Sequence, residues 1–363
     1  MKVRAFLLSI VAMLEVLSLQ AQAPAVEATV KAARFNAGGF ANVTFENISR
    51  NGRSVLESGE VDLFASFRLS DRWSVLSEAF TYRAGRSDDV DVRPSRSLEL
   101  DLARLYLAYH PSDRLRLELG QNHTGIIQWN EREHRSRFLQ TPIDVPAIAV
   151  REEQGGAWPL HFVGAWASGR LPGSLGIQYG AGVGEARGSA RDELQPALDP
   201  ESSLGQLFSL SVSPDKFPGL QVGAAEYSGD IPAPEPEGAM REVDQTLFAS
   251  YVSGGLETRG EWAQMHHTRF SDRRHFVTTG WYALISYRLR GRWQPIRPYL
   301  LLDNLDVPVA EHYLSEVADQ RAWAAGVRWD ASRHLAVKSD FRSQLAHDGS
   351  RERLIRLQIA VSF

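Results

Sequence analysis

Residues 353 to 363 alternate between two faces, and every second residue from Ile355 to Phe363 is a large apolar one. Ile355 and Leu357 belong to one face of this stretch, and Arg356 belongs to the other. A period of two is the pattern of a β-strand with one apolar face. A tilted strand needs about nine to eleven residues to cross a bilayer, and this stretch has that length. The pattern therefore predicts a membrane-spanning strand that ends at the aromatic Phe363.

Similar period-two runs, separated by turn residues, recur along the chain. They predict sixteen strands near residues 34–47, 60–70, 73–83, 97–110, 114–122, 157–169, 174–184, 204–213, 220–227, 244–252, 256–267, 280–289, 296–304, 321–330, 335–342 and 353–363. The connections between these strands are predicted to alternate strictly, long then short. Residues 70–72 and 111–113 have turn chemistry, whereas 48–59 and 85–96 are long and polar.

The predicted fold class is all-β, a transmembrane antiparallel β-barrel of about 16 strands with short periplasmic turns and long extracellular loops. A soluble β-sandwich has the same alternation but typically about seven to nine strands. A barrel transporter with a plug domain needs about 22 strands, more than this chain supplies. Phase changes within 73–82 and 98–109 indicate a β-bulge in that part of the wall.

The N-terminus has the three parts of a secretory signal. Lys2 and Arg4 precede an apolar run over 5–19, and small residues surround Ala23. We expect a signal peptide over 1–23, with cleavage between 21 and 25, followed by a single barrel domain over 26–363. The chain has no cysteine, so disulfides and thiol chemistry are excluded. A formal charge of −4 without a basic tail argues against a nucleic-acid partner.

Most of the nine tryptophans lie near predicted strand ends. Aromatic girdles at both edges of the apolar band require amphipathic rings at such positions. The alternative is that some of these rings fill the wall or line the lumen. The candidates are Trp73, Trp129, Trp158, Trp262, Trp281, Trp293, Trp323 and Trp329.

The connection over 123–156 is by far the longest, and it contains a dense run of charges. If this third long loop folds into the barrel, these charges would narrow the pore. The alternative is a solvated external loop. The constriction candidates are Glu131, Arg132, Glu133, His134, Arg135 and Arg137.

Basic residues slightly outnumber acidic ones on the strand faces opposite the apolar faces. Basic residues that face a pore lower the electrostatic barrier for anions. The excess is small and neighbouring strands will neutralise many pairs, so we expect only a weak anion preference. The pore-lining candidates are Arg68, Arg104, Arg114, Arg116, Arg288, Arg328 and Arg356.

In length, strand count and the alternating C-terminal strand ending at Phe363, the chain resembles the bacterial outer-membrane porin superfamily. The phrase over 119–125, in which a strand runs into a Gly-containing loop, is similar to a junction in the phosphate-selective (O/P-type) porin branch. The resemblance implies a bacterial cell outer membrane location, a homotrimer, and contacts with outer-membrane lipid and lipopolysaccharide. It also implies that the barrel assembly machinery recognises Phe363.

The predicted function is passive diffusion of small hydrophilic solutes, without a cofactor, a metal or a catalytic step. One alternative is a substrate-specific channel for phosphate or other anions. Another is a non-conducting barrel that binds partners through its loops. Enzymatic chemistry has little support, because the adjacent His266 and His267 must point to opposite faces of a strand and no Gly-x-Ser-x-Gly motif occurs.

Overall fold

The computed structural model describes residues 35–48, 53–83, 98–133, 137–188, 203–232, 238–345 and 349–363. The predicted signal peptide over 1–23 lies outside these residues, as do His134 and Arg135. The strands are β1 (Phe35–Ile48), β2 (Arg53–Arg68), β3 (Trp73–Arg83), β4 (Leu98–Ser112), β5 (Leu115–His123), β6 (His161–Arg170), β7 (Gln178–Glu185), β8 (Leu204–Val212), β9 (Leu220–Ile231), β10 (Met240–Ser253), β11 (Leu256–Arg269), β12 (His275–Tyr287), β13 (Ile296–Asp306), β14 (Gln320–Ser332), β15 (Leu335–Leu345) and β16 (Arg351–Ser362). Each strand pairs with the next, and β1 pairs with β16, so the sheet is a closed barrel. The predicted fold class and strand count are confirmed.

The wall is apolar outside and polar inside. Ile355, Leu357 and Ile359 of β16 are exposed, whereas Arg356 and Gln358 between them are each only 2% exposed. The same alternation recurs around the barrel, and the buried inward residues include many charged side chains. Large exposed apolar surface is unfavourable in water but suits hydrocarbon. The barrel is therefore a transmembrane one. Among the described residues, no helix is long and apolar enough to cross a membrane.

The first and last strands close the barrel through antiparallel pairing. Gly39 and Phe363 extend this ladder by exchanging two backbone hydrogen bonds, of 2.9 and 3.0 Å. Gly39 also makes room for the aromatic ring, since a Cβ there would lie 2.6 Å from Cζ of Phe363. Glycine, the smallest residue, thus lies where the ring of Phe363 crosses the junction of β1 and β16, which we call the seam.

The predicted bulge lies between β3 and β4. Glu78 pairs with Arg104 and Ala79 pairs with Leu102, so Ala103 is the extra residue. Ala103 is fully buried, and Arg104 next to it forms a buried ion pair with Glu78. The phase change in the sequence therefore reports a real change of register.

The prediction of strictly alternating connection lengths is wrong. β11 and β12 are joined by the short turn at 270–274, although this turn belongs to the rim of long connections, and the opposite rim has a longer connection at 288–295. Several strands extend past their predicted ends at the long-loop rim, as at Arg53 of β2 and His275 of β12. Beyond the apolar band, both faces of a strand meet water. The alternation that predicts a membrane strand therefore ends there, although the hydrogen-bonded pairing of the strands continues.

Five tryptophans have exposed side chains on or next to the outer face of the wall: Trp73, Trp281, Trp293, Trp323 and Trp329. Trp262 is half-buried and pairs in register with Trp281. Trp129 and Trp158 do not belong to a girdle. They match the alternative of rings that fill the interior, since they are 1% and 2% exposed and lie outside the strands.

The contact between Gly39 and Phe363 predicts a sensitive seam. Gly39→Ala should destabilise the folded barrel by about 1–3 kcal/mol, because overpacking displaces the ring of Phe363 and the ladder around it. The measurement is the urea midpoint of the refolded protein, followed by the heat-dependent gel shift of folded barrels. Gly260→Ala is the matched control, since its Cβ would meet one atom, the carbonyl oxygen of Tyr282, at 3.4 Å. Equal midpoints for the two variants would contradict the account of the seam.

Candidate functional site

Residues 124–160 connect β5 to β6 and run inside the barrel. We call them the inserted segment, of which 134–136 are not described. The segment contains one helical turn and a half, α1 (Gln128–Glu133), and two 3-10 turns, η1 (Ala147–Ala149) and η2 (Glu152–Gln154). Its hydrogen bonds reach the inward faces of β2, β10, β11 and β13 to β16.

The start of α1 is held by a carboxylate from β11. Glu261 accepts hydrogen bonds from the backbone N–H groups of Gln128, at 2.6 Å, and Trp129, at 3.3 Å. The first N–H groups of a helix lack partners within the helix, so an acidic side chain there satisfies them. Next to this, Thr246 of β10 donates to the carbonyl of Ile126 at 2.7 Å.

The turn η1 is held by β12 and β13. Asp303 accepts from the N–H of Ala147 at 3.1 Å, and the hydroxyl of Tyr299 accepts from the N–H of Ile143 at 3.3 Å. Ile148 packs against Gly280 of β12. A Cβ atom at Gly280 would lie 2.3 Å from Cγ2 of Ile148. The wall therefore provides both acceptors and a gap for this part of the segment.

Basic side chains of β14 to β16 hold the middle of the segment. Arg328 donates to the carbonyl of Gln140 at 2.7 Å, and Lys338 donates to the carbonyl of Pro142 at 3.0 Å. Arg356 forms ion pairs with Asp144 of the segment and, at 2.8 Å, with Asp340 of β15. These cations find carbonyls and carboxylates as partners, which offsets the desolvation of buried charge.

Burial alone would raise the pKa of Asp144, but the guanidinium groups of Arg356, Arg342 and Arg137 outweigh it. They hold the pKa of that carboxyl well below its usual range. Asp144 is therefore ionised at neutral pH, and its charge is part of the attachment of the segment to β16.

Apolar side chains fill one side of the lumen. Segment residues such as Ile126, Trp129 and Ile148 pack against a contiguous buried cluster. The members of this cluster that lie on strands come from β8 to β14, among them Leu207 and Leu301. Since a water-filled passage needs polar walls, this half of the lumen is closed to it.

A small cavity of about 20 Å³ lies between the inserted segment and β2. At that volume it has room for about one water molecule. Glu60 of β2 faces Arg151 at 3.4 Å and Arg137 at 4.0 Å across one side. Glu133 of α1 lines the other side and is paired with Arg259. The lining is thus mostly polar and of mixed charge, although Trp129, Val145 and Ala149 also border it.

A second group of charges joins three long connections at the rim. We call Arg187, Glu152, Glu242, His267 and Glu311 the outer cluster. Arg187 contacts Glu242 at 2.9 Å and Glu152 at 3.0 Å. His267 contacts Glu242 at 2.6 Å and Glu311 at 2.7 Å.

Burial would lower the pKa of Arg187, but Glu242 and Glu152 raise it well above its usual value. The guanidinium is therefore permanently charged, and its side chain is 1% exposed. Because its partners come from a strand and from the inserted segment, it ties the connection after β7 to both.

The predicted pore-lining residues fall into three groups. The first group is buried and consists of Arg104, Arg328 and Arg356. The second group is partly exposed: Arg116 pairs with Glu118, and Arg288 pairs with Asp330. The third group, Arg68 and Arg114, is exposed at the rim of short turns. Among the constriction candidates, Glu131, Arg132, Glu133 and Arg137 belong to the inserted segment. Their part in conduction stays a prediction.

The sequence analysis missed Asp144 entirely. Its partners Arg356 and Arg342 lie about two hundred residues away along the chain, so no local pattern marks the pair. The apolar residues Ile126, Ile127 and Trp129 within a charged connection were an available signal that part of this connection is buried.

No family model matches the chain, and no curated protein matches its sequence. Solved structures with a similar fold include an anion-selective porin from Comamonas acidovorans, with a TM-score of 0.60, 14% identity, and coverage of 91% of this chain and 99% of that one. Salmonella typhi OmpF has a TM-score of 0.60 at 13% identity, covering 91% and 97%. The outer membrane channel DcaP of Acinetobacter baumannii has a TM-score of 0.59 at 10% identity, covering 91% and 97%. At these identities the likeness shows the fold alone.

Asp144→Asn should loosen the middle of the inserted segment at neutral pH, because it removes the charge that pairs with Arg356. Hydrogen exchange of residues 137–145 should become faster, while the strands keep their protection. Since the pKa of Asp144 is lowered in the folded state, its contribution is fully present above the unfolded value of about 3.9 and disappears only as the pH falls through the lower folded value. The wild type should thus keep its protection from pH 8 to about pH 4.

Asp272→Asn is the control for this experiment, because Asp272 lies in the exposed 270–274 turn and pairs there with Arg274 at 3.2 Å. An Asp144→Asn barrel with wild-type protection over 137–145 at pH 7 would refute the assigned role.

Arg187→Met should release the connections that meet at the outer cluster. The change removes the guanidinium that Glu242 and Glu152 share, and breaking a buried pair costs roughly 3–5 kcal/mol. We expect faster proteolysis within the connections after β7 and β13. Arg241→Met is the matched control, since its ion pair with Asp230 is more than 40% exposed on both sides and such pairs contribute about 0–1 kcal/mol. Equal cleavage rates in the two variants would contradict a clamping role for Arg187.

Proposed function

We propose that this protein is a channel of the bacterial outer membrane that passes small hydrophilic solutes by passive diffusion. Its fold is shared with outer-membrane porins and channels. The apolar exterior suits a lipid environment, and the interior is polar except for the cluster beside β8 to β14. A sixteen-stranded barrel is wide enough for an aqueous channel.

The observation that carries this proposal is the polar cavity between the inserted segment and β2. The strand that lines it is β2, which holds no part of the apolar cluster, and charged and amide groups line much of it. Such a lining replaces part of the hydration of a polar solute. The inserted segment leaves a space far smaller than the lumen of an empty barrel, so the proposed solutes are small.

We base the weak anion preference on a comparison of the two partners in each ion pair, since the partner that is more exposed to water is the one that a passing ion meets. Arg116 is 37% exposed whereas its partner Glu118 is 8% exposed, and Arg288 is 43% exposed against 24% for Asp330. Positive charge thus faces the lumen at these pairs, which favours anions. Asp144 has the opposite arrangement, being 30% exposed beside the buried Arg356. The two tendencies partly cancel, which is why the proposed preference is weak.

Two other functions remain candidates on specific observations. The ion pairs with exposed arginines also suit a channel specific for phosphate or another anion, as in the phosphate-selective branch. The apolar cluster fills one side of the lumen and the outer cluster ties the connections at the rim together, which suits a non-conducting barrel that binds partners through its loops.

The remaining expectations complete the proposal. They are a cleaved signal peptide over 1–23, assembly as a homotrimer, contacts with lipid and lipopolysaccharide, and recognition of Phe363 by the assembly machinery. The inserted segment would act as the constriction of each channel.

The proposal predicts stable ohmic steps from the refolded protein in a planar bilayer. Under a salt gradient the reversal potential should have the sign of anion preference. Arg116→Gln combined with Arg288→Gln should shift it towards cation preference, because both changes remove exposed positive charge from the lumen.

Arg241→Gln is the control, since Arg241 pairs with Asp230 away from the lumen charges and should leave the reversal potential unchanged. A folded, heat-modifiable barrel without conductance would refute the channel and favour the non-conducting alternative. Conductance with an unchanged reversal potential in the double variant would refute the anion argument alone.

A further inference from the structure

Two histidines converge on the outer face of the hairpin formed by β11 and β12. Nδ1 of His266 lies 3.1 Å from Nε2 of His275. Their rings are stacked, with centroids 5.2 Å apart and an interplanar angle of 27°. The neighbouring His267 points into the lumen and belongs to the outer cluster, so the external pair is a separate feature.

The pair lies beyond the aromatic level of the wall. Trp262 and Trp281 are paired in register on these two strands, and His266 follows Trp262 by four residues. At about 3.3 Å per residue, His266 lies roughly 13 Å further along the strand. His275 is exposed beside the 270–274 turn. Ions in the surrounding water can therefore reach both rings.

A hydroxyl group orients one of the two rings. Oγ1 of Thr268 lies 3.0 Å from Nδ1 of His275. With the Nδ1 proton donated to this oxygen, Nε2 of His275 presents a lone pair towards His266. Hydrogen bonds of this kind to the second ring nitrogen fix the tautomer of metal-binding histidines. Only His266 must then move its proton to Nε2, its other neutral tautomer, for both converging nitrogens to present lone pairs.

The distance between the two nitrogens suits a shared metal ion. Metal–nitrogen bonds of about 2.0–2.1 Å place two ligand nitrogens about 3.3 Å apart in tetrahedral geometry and about 2.9 Å apart in a square-planar cis arrangement. The observed 3.1 Å lies between these values. The separation therefore fits both geometries once each ring turns so that its lone pair points at the shared ion.

The charges around the pair are largely neutralised within the protein. Asp272 lies between Arg269, at 3.5 Å, and Arg274, at 3.2 Å. Arg241 of the adjoining strand is paired with Asp230 at 2.9 Å. Among the described residues, no three potential metal ligands come together, so water would complete the coordination. Such a site exchanges its ion readily.

We propose that His266 and His275 form an external, exchangeable binding site for a divalent transition-metal ion, with Cu²⁺ as the preferred ion. Two imidazole nitrogens with water ligands suit the tetragonal geometry of Cu²⁺, and nitrogen sites generally bind Cu²⁺ more tightly than Ni²⁺ or Zn²⁺. The site is independent of conduction, since it lies on the outside of the wall.

The test is calorimetric titration of the refolded full-length barrel with CuCl₂ at pH 7.5, together with the visible absorption of the bound ion. His266→Ala and His275→Ala should each weaken the tightest binding at least about tenfold, because a single imidazole cannot chelate. Thr268→Ala should weaken it less, since it removes only the orienting hydroxyl. His334→Ala is the control, because His334 contacts Ser362 near the opposite rim.

All variants are first checked for the heat-dependent gel shift of a folded barrel. The proposal is overturned if the wild type binds no Cu²⁺ at micromolar concentrations, or if the His266→Ala/His275→Ala double variant binds it as tightly as the wild type. Tighter binding of Zn²⁺ than of Cu²⁺ would overturn the assignment of the ion. Conductance is expected to stay unchanged in every variant, so failure here and failure of the proposed channel are distinguishable.

Discussion

Every backbone N–H and C=O group in the hydrocarbon of a membrane needs a partner within the protein. In this chain, sixteen antiparallel strands meet that requirement by closing on themselves, with β1 against β16. Closure has a chemical consequence for the side chains. Because successive residues of a strand face opposite sides, each strand must present apolar groups to lipid and is free to present polar groups to the interior. The charged lumen and the apolar exterior therefore follow from one constraint on the backbone.

A lumen rich in charges cannot remain stable unless those charges meet water or partners. The inserted segment supplies many of the partners. Its backbone N–H groups meet Glu261 and Asp303, and its carbonyls meet Arg328 and Lys338. The same segment buries its apolar residues against β8 to β14. Its two kinds of contact divide the lumen into a packed half and a polar half, and this division is what narrows the proposed passage.

The architecture was predictable from the sequence because the alternation of residues within each strand shows which side chains face outward and which face inward. The alternation of β16 predicted which residues are exposed, and the phase changes within 73–82 and 98–109 indicated the bulge. The interior was not predictable to the same degree. Asp144 and Arg356 meet across two hundred residues of chain, and nothing near either residue specifies the other. Strand ends beyond the apolar band were also missed, because a ladder with water on both faces has no apolar alternation. His266 and His275 lie nine residues apart in the sequence, and only the pairing of β11 with β12 brings their nitrogens together.

The central claim is that the inserted segment is packed inside the barrel, and thiol labelling tests it directly because the chain has no cysteine of its own. Ile148 is 1% exposed in the packed half of the lumen, whereas Val309, in the connection after β13, is 86% exposed. Single variants Ile148→Cys and Val309→Cys would be treated with a charged, membrane-impermeant thiol reagent in the folded state and again after unfolding. The account predicts rapid labelling of Cys at 309 and protection of Cys at 148 until the barrel unfolds. Labelling of the folded Ile148→Cys barrel at the rate of Val309→Cys would contradict it.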